Sequence, residues 1–157
     1  MSKISGSGIA VAVPAGWEGR IYARTAPGAA PGAAESRTTA DNAVVHVASF
    51  ALPPGTGDYG GGAVEQMTNR DLLVVLMEHG PQSVGTALFS AKGIPRLTIN
   101  DVSTTTLQRL IEGQGGAQRF FTVKNRAFCL YVVFGSFARR GRTIPVVNDI
   151  LKTISIT

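Results

Sequence analysis

The side chains best suited to covalent chemistry in this chain are one cysteine and two histidines. Cys129 is the single thiol, and His46 and His79 are the two imidazoles. A cysteine becomes a strong nucleophile when a neighbouring base or cation lowers its pKa, usually on an exposed turn. Cys129 lies instead within an alternating apolar stretch, where a cysteine behaves as a small hydrophobic side chain. A hydrolase or transferase that uses Cys129 or His46 is therefore an alternative hypothesis, and the pattern favours a protein without a catalytic residue.

Residue spacing indicates neither a metal site nor a nucleotide site. The two histidines have no Cys or carboxylate at metal-ligand spacing. Residues 55–60 match G-x-G-x-x-G, and Glu78 follows at the separation of a ribose-binding carboxylate. That motif binds phosphate when a strand precedes it directly and a helix opens at its third glycine. Two prolines break the preceding strand here, so we predict a flexible turn, no cofactor and no metal.

The strongest polar signal is a basic cluster formed by Arg139, Arg140 and Arg142. It comes just before a predicted helix whose first N–H groups are free, so it could hold a phosphate or a carboxylate. Three more basic residues on a predicted hairpin could extend this patch: Arg119, Lys124 and Arg126. An anionic ligand, a nucleic acid or another anionic surface is thus an alternative partner. No aromatic RNA-binding motif accompanies the cluster.

Composition predicts one small domain, 1–157, with a basic surface. The chain has 157 residues, of which 44% are hydrophobic and 16% charged, and its net charge is +5. That length suits a single domain with a sizeable core. The charged share is below the roughly 25% usual in soluble domains, which leaves apolar surface for a partner. A basic balance raises the expectation of an anionic partner without naming one.

Cysteine usage and apolar run lengths predict a cytoplasmic protein with no membrane segment. A single cysteine cannot form an internal disulfide, which fits a reducing compartment. The first eight residues are polar and do not resemble a signal peptide. The apolar run 72–77 is too short to span a bilayer.

Alternating apolar residues and turn signals predict an antiparallel sheet. The clearest strands are 8–14, 19–25, 44–52, 117–123 and 127–134. The first two are joined by the turn PAGW, and the last two at KNR, where Asn125 tolerates a left-handed conformation. Both faces of 127–134 are apolar, so we predict a central strand that is covered on both sides.

Three stretches are harder to assign. Residues 64–79 and 98–111 fit either a strand or a helix. In the first, the continuous apolar run 72–78 favours a buried strand. In the second, three successive threonines favour a strand. Residues 26–43 contain PGAA twice and predict a flexible loop rich in Pro, Ala and Gly.

The C-terminal region predicts an amphipathic helix. Thr143 can cap it, and Pro145 suits its first turn, where a missing N–H costs nothing. Its apolar stripe is Ile144, Val147, Ile150 or Leu151, and Ile154, and the residues expected to face water are Asn148, Asp149 and Lys152. Together with about six strands, this helix predicts an α+β fold that is mainly antiparallel sheet, with the helix packed on the sheet.

Two ends of the chain resemble the PsbP/Mog1-like group. The resemblance is carried by VPAGW at 13–17, by the antiparallel strands, and by VVNDILKTISI at 146–156. The group includes photosystem II extrinsic proteins, a Ran-binding protein and many small bacterial proteins. The resemblance implies a sandwich of an antiparallel sheet with helices packed against it. It also implies a non-enzymatic binding role, with no functional residue carried over.

We therefore predict a small α+β binding or interaction module without a cofactor. Its partner would be another protein, a second copy in a homodimer, or an anionic ligand. Candidate contacts are the basic cluster, Trp17 and Tyr59. Trp17 follows a turn and could be a half-exposed anchor, although a tryptophan in the core is the favoured interpretation.

Overall fold

The computed structural model describes residues 1–23 and 43–157. Within them lie eight strands and one α-helix. The strands are β1 (Ser2–Gly6), β2 (Ile9–Val13), β3 (Glu18–Ala23), β4 (Ala43–Ala48), β5 (Leu72–His79), β6 (Gly115–Val123), β7 (Arg126–Phe134) and β8 (Ser155–Ile156), and α1 spans Arg140–Leu151. Every pair of neighbouring strands is antiparallel. The predicted class, α+β with mainly antiparallel sheet and a C-terminal helix, is confirmed.

The strands form two sheets. The small sheet has the order β1-β2-β8, and the large sheet has the order β3-β4-β5-β7-β6. Six of the predicted strands are present, and β1 and β8 are additional. The predicted loop 26–43 lies outside the described residues, except that Ala43 begins β4. Among the described residues, no helix is long and apolar enough to span a membrane.

The core lies on both faces of β7. On one face, alternate residues of the large sheet pack against the small sheet and α1; they include Phe128, Leu130, Val132 and Phe134. On the other face, Cys129, Tyr131 and Val133 pack under the loops that follow β4 and precede β6. All of these side chains are buried. The prediction of a central strand covered on both sides is confirmed.

The ambiguous stretches divide between strand and irregular structure. Leu72–His79 is a strand, as its apolar run predicts. Residues 98–111 are not a strand, because short polar side chains there bind the local backbone. Thr98 and Asp101 form a capping box around a short 3-10 helix, and the Ser103 hydroxyl accepts the Thr105 N–H at 3.1 Å. Such local bonds compete with a strand ladder.

The C-terminal helix begins earlier than predicted. Its first residue is Arg140, so Thr143 is not its cap. The Thr143 hydroxyl instead donates to the backbone carbonyls of Arg139 and Arg140. Pro145 lies inside the helix rather than in its first turn. Its missing N–H leaves the Gly141 carbonyl without an intrahelical donor, but Gly141 is exposed, so water can serve that carbonyl.

The buried stripe of the helix is confirmed, with one correction. Asn148 was expected to face water, but it is only 6% exposed. Its side-chain oxygen accepts the Leu97 N–H at 2.9 Å, and its amide donates to the Leu97 carbonyl at 3.0 Å. A buried amide that pairs with both groups of one residue fixes the irregular segment 94–99 against α1.

Replacing Asn148 with alanine is expected to lower the free energy of unfolding by about 2 kcal/mol, because two buried backbone groups of Leu97 lose their partner. Urea unfolding measures the change. Asp149→Ala, on the exposed side of the same helix, is the matched control and should change stability by less than about 0.5 kcal/mol. Equal effects of the two variants would contradict this role of Asn148.

Candidate functional site

A large cleft among the described residues lies between segment 84–93 and the turn that joins β6 to β7. Its volume is about 680 Å³. Val84, Phe89 and Val123 supply its apolar lining, and its two charged lining residues are Lys92 and Lys124. We call it the lysine cleft. Its volume falls within the range of about 300–1,000 Å³ that is usual for small-molecule sites.

Segment 84–93 is held against the edge of the large sheet by hydrogen bonds to one residue of β6. The Thr122 N–H donates to the Ala91 carbonyl at 2.8 Å, and the Gly93 N–H donates to the Thr122 carbonyl at 3.0 Å. The Thr122 hydroxyl donates to the Phe89 carbonyl at 2.7 Å. These three bonds place Lys92 beside Thr122, so one wall of the cleft is fixed although it contains only one short 3-10 helix.

The floor of the cleft is an aromatic cluster. Phe89 is buried, and its ring packs edge-on against Phe120, with 5.4 Å between centroids. The same ring lies 5.1 Å from the imidazole of His79 at the end of β5. A floor anchored to two strands of the sheet gives the cleft a preformed apolar surface, which lowers the entropy cost of binding.

The second wall is a strained turn. Lys124 and Asn125 have φ of 52° and 62°, which makes this two-residue hairpin loop a type I′ turn. Both central positions of that turn favour Gly, Asn or Asp. A lysine there costs about 1 kcal/mol, because its Cβ crowds the backbone in the left-handed region. Asn125 fits its position, as predicted, whereas Lys124 is a departure from turn chemistry.

The electrostatics of the cleft favour an anion. No carboxylate is among the described residues that line it. Lys92 and Lys124 are both exposed, and neither forms an ion pair with a described carboxylate. Thr86 and Ser90 add hydroxyl groups to the lining. Two unneutralised ammonium groups above an apolar floor suit a ligand that has one anionic end.

The predicted basic cluster lies in the first turn of α1 rather than before it. Arg139 is the N-cap residue, and Arg140 and Arg142 are in the helix. The Arg140 guanidinium stacks on the Phe137 ring, 3.8 Å from its centroid, and donates to the Phe137 carbonyl at 2.9 Å. Arg142 is exposed. Anion binding by this cluster stays a prediction.

The hairpin residues that were expected to extend this patch have separate environments. Arg119 is paired with Asp101 at 3.1 Å, and Arg126 is paired with Glu78 at 2.7 Å. Lys124 lines the lysine cleft. Both guanidinium groups therefore have carboxylate partners, while Lys124 faces a cleft that the sequence did not indicate.

Trp17 and Tyr59 are both half-buried. The Trp17 side chain packs against the core. The backbone N–H of Trp17 closes the PAGW turn by donating to the Pro14 carbonyl at 3.0 Å. Gly16 has φ of 82° in that turn, a value that a glycine adopts freely. Tyr59 packs edge-on against Tyr131, with 5.2 Å between ring centroids. Both residues stay candidate contacts.

Cys129 and His46 lie on the same face of the large sheet, on strands separated by β5. Cys129 is fully buried, and the Gln118 amide lies 3.4 Å from its sulfur. His46 is also fully buried, and its Nε2 lies 2.9 Å from the Asp58 carbonyl oxygen. Burial lowers the pKa of His46, which favours the neutral imidazole.

The glycine-rich segment is a turn rather than a phosphate loop. The Gly60 N–H donates to the Gly57 carbonyl at 2.8 Å, and a 3-10 helix of three residues, Val64–Gln66, follows. Asp58 accepts the Tyr22 hydroxyl at 2.6 Å, so this segment is folded onto β3 and β4. Among the residues with described positions, no group of three or more His, Cys, Asp or Glu could hold a metal ion.

No protein-family model, no curated protein and no solved structure matches this chain. The PsbP/Mog1-like resemblance gains no support from these comparisons and stays a prediction.

Sequence reasoning missed Lys92, Thr86 and Ser90. Two signals could have pointed toward them. Residues 80–114 form a long connection with little regular structure, which is uncommon in a compact domain unless it has a function. The other signal is Lys124, at a turn position where Gly, Asn or Asp is expected.

Proposed function

We propose that this protein is a binding module for a small amphiphilic anion, a carboxylate or phosphate monoester attached to an apolar body. The anionic end would lie between Lys92 and Lys124, and the apolar body would lie on Phe89. A charged hydrogen bond contributes about 1.5–3 kcal/mol, which is enough for each lysine to matter.

The observation that carries the proposal is the left-handed conformation of Lys124 beside the cleft. Proteins keep strained residues chiefly where the surrounding structure uses them. An asparagine at this position would relieve the strain and remove the charge. A lysine at this position is therefore better explained by its side chain than by its backbone.

The test is calorimetric titration with three probes of matched length: octanoate, octyl phosphate and octanol. We expect the two anions to bind the wild-type protein, and octanol to bind at least about tenfold more weakly, because it cannot pair with an ammonium group. Lys92→Gln and Lys124→Asn should each weaken octanoate binding by about tenfold or more. Lys152→Gln, at the exposed lysine that follows the last residue of α1, is the control and should leave octanoate binding unchanged.

A stability measurement separates the backbone strain at Lys124 from the contribution of its ammonium group to binding. Lys124→Asn should raise the free energy of unfolding by about 0.5–1 kcal/mol while it weakens binding. Ser7 also has a left-handed conformation, with φ of 53° in the β1–β2 turn. Ser7→Asn should therefore also raise the free energy of unfolding, but it should leave octanoate binding unchanged. Unchanged octanoate affinity in Lys124→Asn, or equal binding of octanol and octanoate, would refute the proposal.

The broader hypotheses remain proposals beside this one. A non-enzymatic binding role agrees with an anionic ligand, and the PsbP/Mog1-like resemblance implies the same role. Binding of another protein and assembly into a homodimer stay predictions. Sedimentation of the pure protein across a range of concentrations tests the homodimer.

A further inference from the structure

A second, smaller pocket lies on the face of the large sheet that carries Tyr131. Its volume is about 250 Å³. Its apolar and aromatic walls are formed by Tyr59, Val64, Leu107, Tyr131 and Val133. We call it the aromatic pocket. The described residues that line it differ from those that line the lysine cleft, so it is a separate site.

Each wall of the aromatic pocket is anchored. Tyr131 and Val133 belong to the central strand β7. Tyr59 lies in the glycine-rich turn, where the Gly57 N–H donates to the Gly61 carbonyl at 2.9 Å. Leu107 follows a segment whose Ser103 exchanges two hydrogen bonds with Gly116 of β6. The walls therefore come from three parts of the fold and leave a preformed space between them.

The Tyr131 hydroxyl has an unused donor. This residue is only 2% exposed, and its oxygen accepts the Gln108 N–H at 2.8 Å. Burial raises the pKa of the Tyr131 phenol above its usual value, so the hydroxyl keeps its proton. No described group accepts that proton. Because buried hydroxyls normally find partners, this donor indicates that an acceptor enters the pocket.

The charges at the rim neutralise each other. Arg109 and Glu65 both line the pocket, and they form an ion pair at 2.7 Å. The arginine side chain is 67% exposed, so the pair is solvated and can open. A rim that is already neutral gives little advantage to a charged ligand, which contrasts with the lysine cleft.

Size limits the ligand to one ring with a substituent. A cavity of about 150 Å³ holds benzene, so about 100 Å³ more would accommodate a few further atoms. Tyr59 and Tyr131 pack edge-on, and both rings line the pocket, so a third ring can contact them there. Rings prefer offset or edge-on contacts, and such contacts favour an aromatic ligand over an aliphatic one.

We propose that the aromatic pocket binds a neutral single-ring aromatic molecule that has a carbonyl or similar acceptor, with the Tyr131 hydroxyl donating to that acceptor. The existing polar contact is kept, because the hydroxyl still accepts the Gln108 N–H while it donates to the ligand. This site is independent of the proposed anion site, and either can fail alone.

The test uses acetophenone and ethylbenzene, which have similar shapes but differ in the carbonyl group. Titration is followed by NMR shifts of the aromatic side chains and of the backbone amides. We expect acetophenone to bind about threefold to tenfold more tightly, which is the range for one neutral hydrogen bond. The shifts should be centred on Tyr59, Tyr131 and Gln108, and octanoate should not displace the probe.

Two variants keep the proposal falsifiable. Tyr131→Phe should abolish the preference for acetophenone while ethylbenzene still binds, an effect that a purely structural role would not produce. If that variant does not fold, Tyr59→Leu at the half-buried wall should weaken both probes by about fivefold through lost ring contacts. Equal binding of the two probes to the wild-type protein, shifts centred elsewhere, displacement by octanoate, or no binding at millimolar concentration would overturn the proposal.

Discussion

Replacing Arg126 with alanine is expected to lower the free energy of unfolding by about 3–5 kcal/mol, the range observed when one partner of a buried ion pair is removed. Its Nε and Nη2 donate to the two carboxylate oxygens of Glu78 at 2.8 and 2.7 Å. Glu78 is only 3% exposed, so its carboxylate would lose a bidentate partner where water cannot fully replace it.

The same guanidinium also joins the two sheets. Its Nη2 donates to the Ser7 carbonyl in the β1–β2 turn at 2.8 Å, and its Nη1 donates to the Thr157 carbonyl after β8 at 3.0 Å. Ser7 and Thr157 flank the small sheet, whereas Arg126 begins β7 of the large sheet. Loss of the Arg126 side chain should therefore also speed amide hydrogen exchange in the β1–β2 hairpin.

Urea unfolding and amide hydrogen exchange check both effects of Arg126→Ala. Arg126→Lys should recover only part of the stability, because an ammonium group cannot reproduce the planar bidentate contact. Arg109→Ala, which removes an exposed ion pair, is the control and should cost less than about 1 kcal/mol. Arg126→Ala could instead lower the free energy of unfolding by no more than this control and leave amide hydrogen exchange in β1 unchanged. That result would contradict the role of Arg126 in joining the two sheets.

The parts of the fold that could be predicted from sequence are those with a strong local period. β7 alternates two apolar faces, and its central position follows from that pattern alone. β1 gave no such signal, because Ser2–Gly6 is short and mostly polar. β8 has two residues and exists because Ile9 and Ala10 of β2 pair with it, which is a tertiary effect.

Two predictions from sequence were wrong because polar residues make different hydrogen bonds from those expected. Thr143 looks like a helix cap, but its hydroxyl bonds to the carbonyls of the preceding turn. Asn148 looks like a water-facing residue, but it holds Leu97 in the core. Each residue type allows two hydrogen-bonding roles. For Thr143 the choice depends on where the helix begins, and for Asn148 it depends on a segment about fifty residues away.

The candidate sites were the least predictable part. The lysine cleft requires residues 84–93 to lie against a turn some thirty residues later, and the bonds to Thr122 that place them there have no local sequence pattern. Tyr59 was a candidate from residue type alone. Its partner Tyr131 could be assigned to the core but not to a pocket wall, because the covering loops set that role.

Replacing Gly116 with alanine is expected to destabilise the fold by about 3 kcal/mol and to abolish acetophenone binding in the aromatic pocket. Gly116 lies where the segment before β6 crosses the sheet, and a Cβ there would overlap the Thr106 carbonyl oxygen and approach the Leu107 side chain to 2.8 Å. Because the first of these is backbone, the clash cannot be relieved by a rotamer change. The segment would have to move, and Leu107 is a wall of the pocket.

Thermal unfolding and the acetophenone titration check this prediction together. Gly141→Ala is the matched control, because a Cβ there would meet only Ile99 at an ordinary contact distance of 3.7 Å. Alanine also has the higher helix propensity, so this control should stabilise α1 by up to about 1 kcal/mol and leave binding intact. If Gly116→Ala unfolded at the wild-type temperature and still bound the probe, the close crossing of segment and sheet would not be what shapes the pocket. A loss of both stability and binding in Gly116→Ala alone would tie the pocket to that crossing.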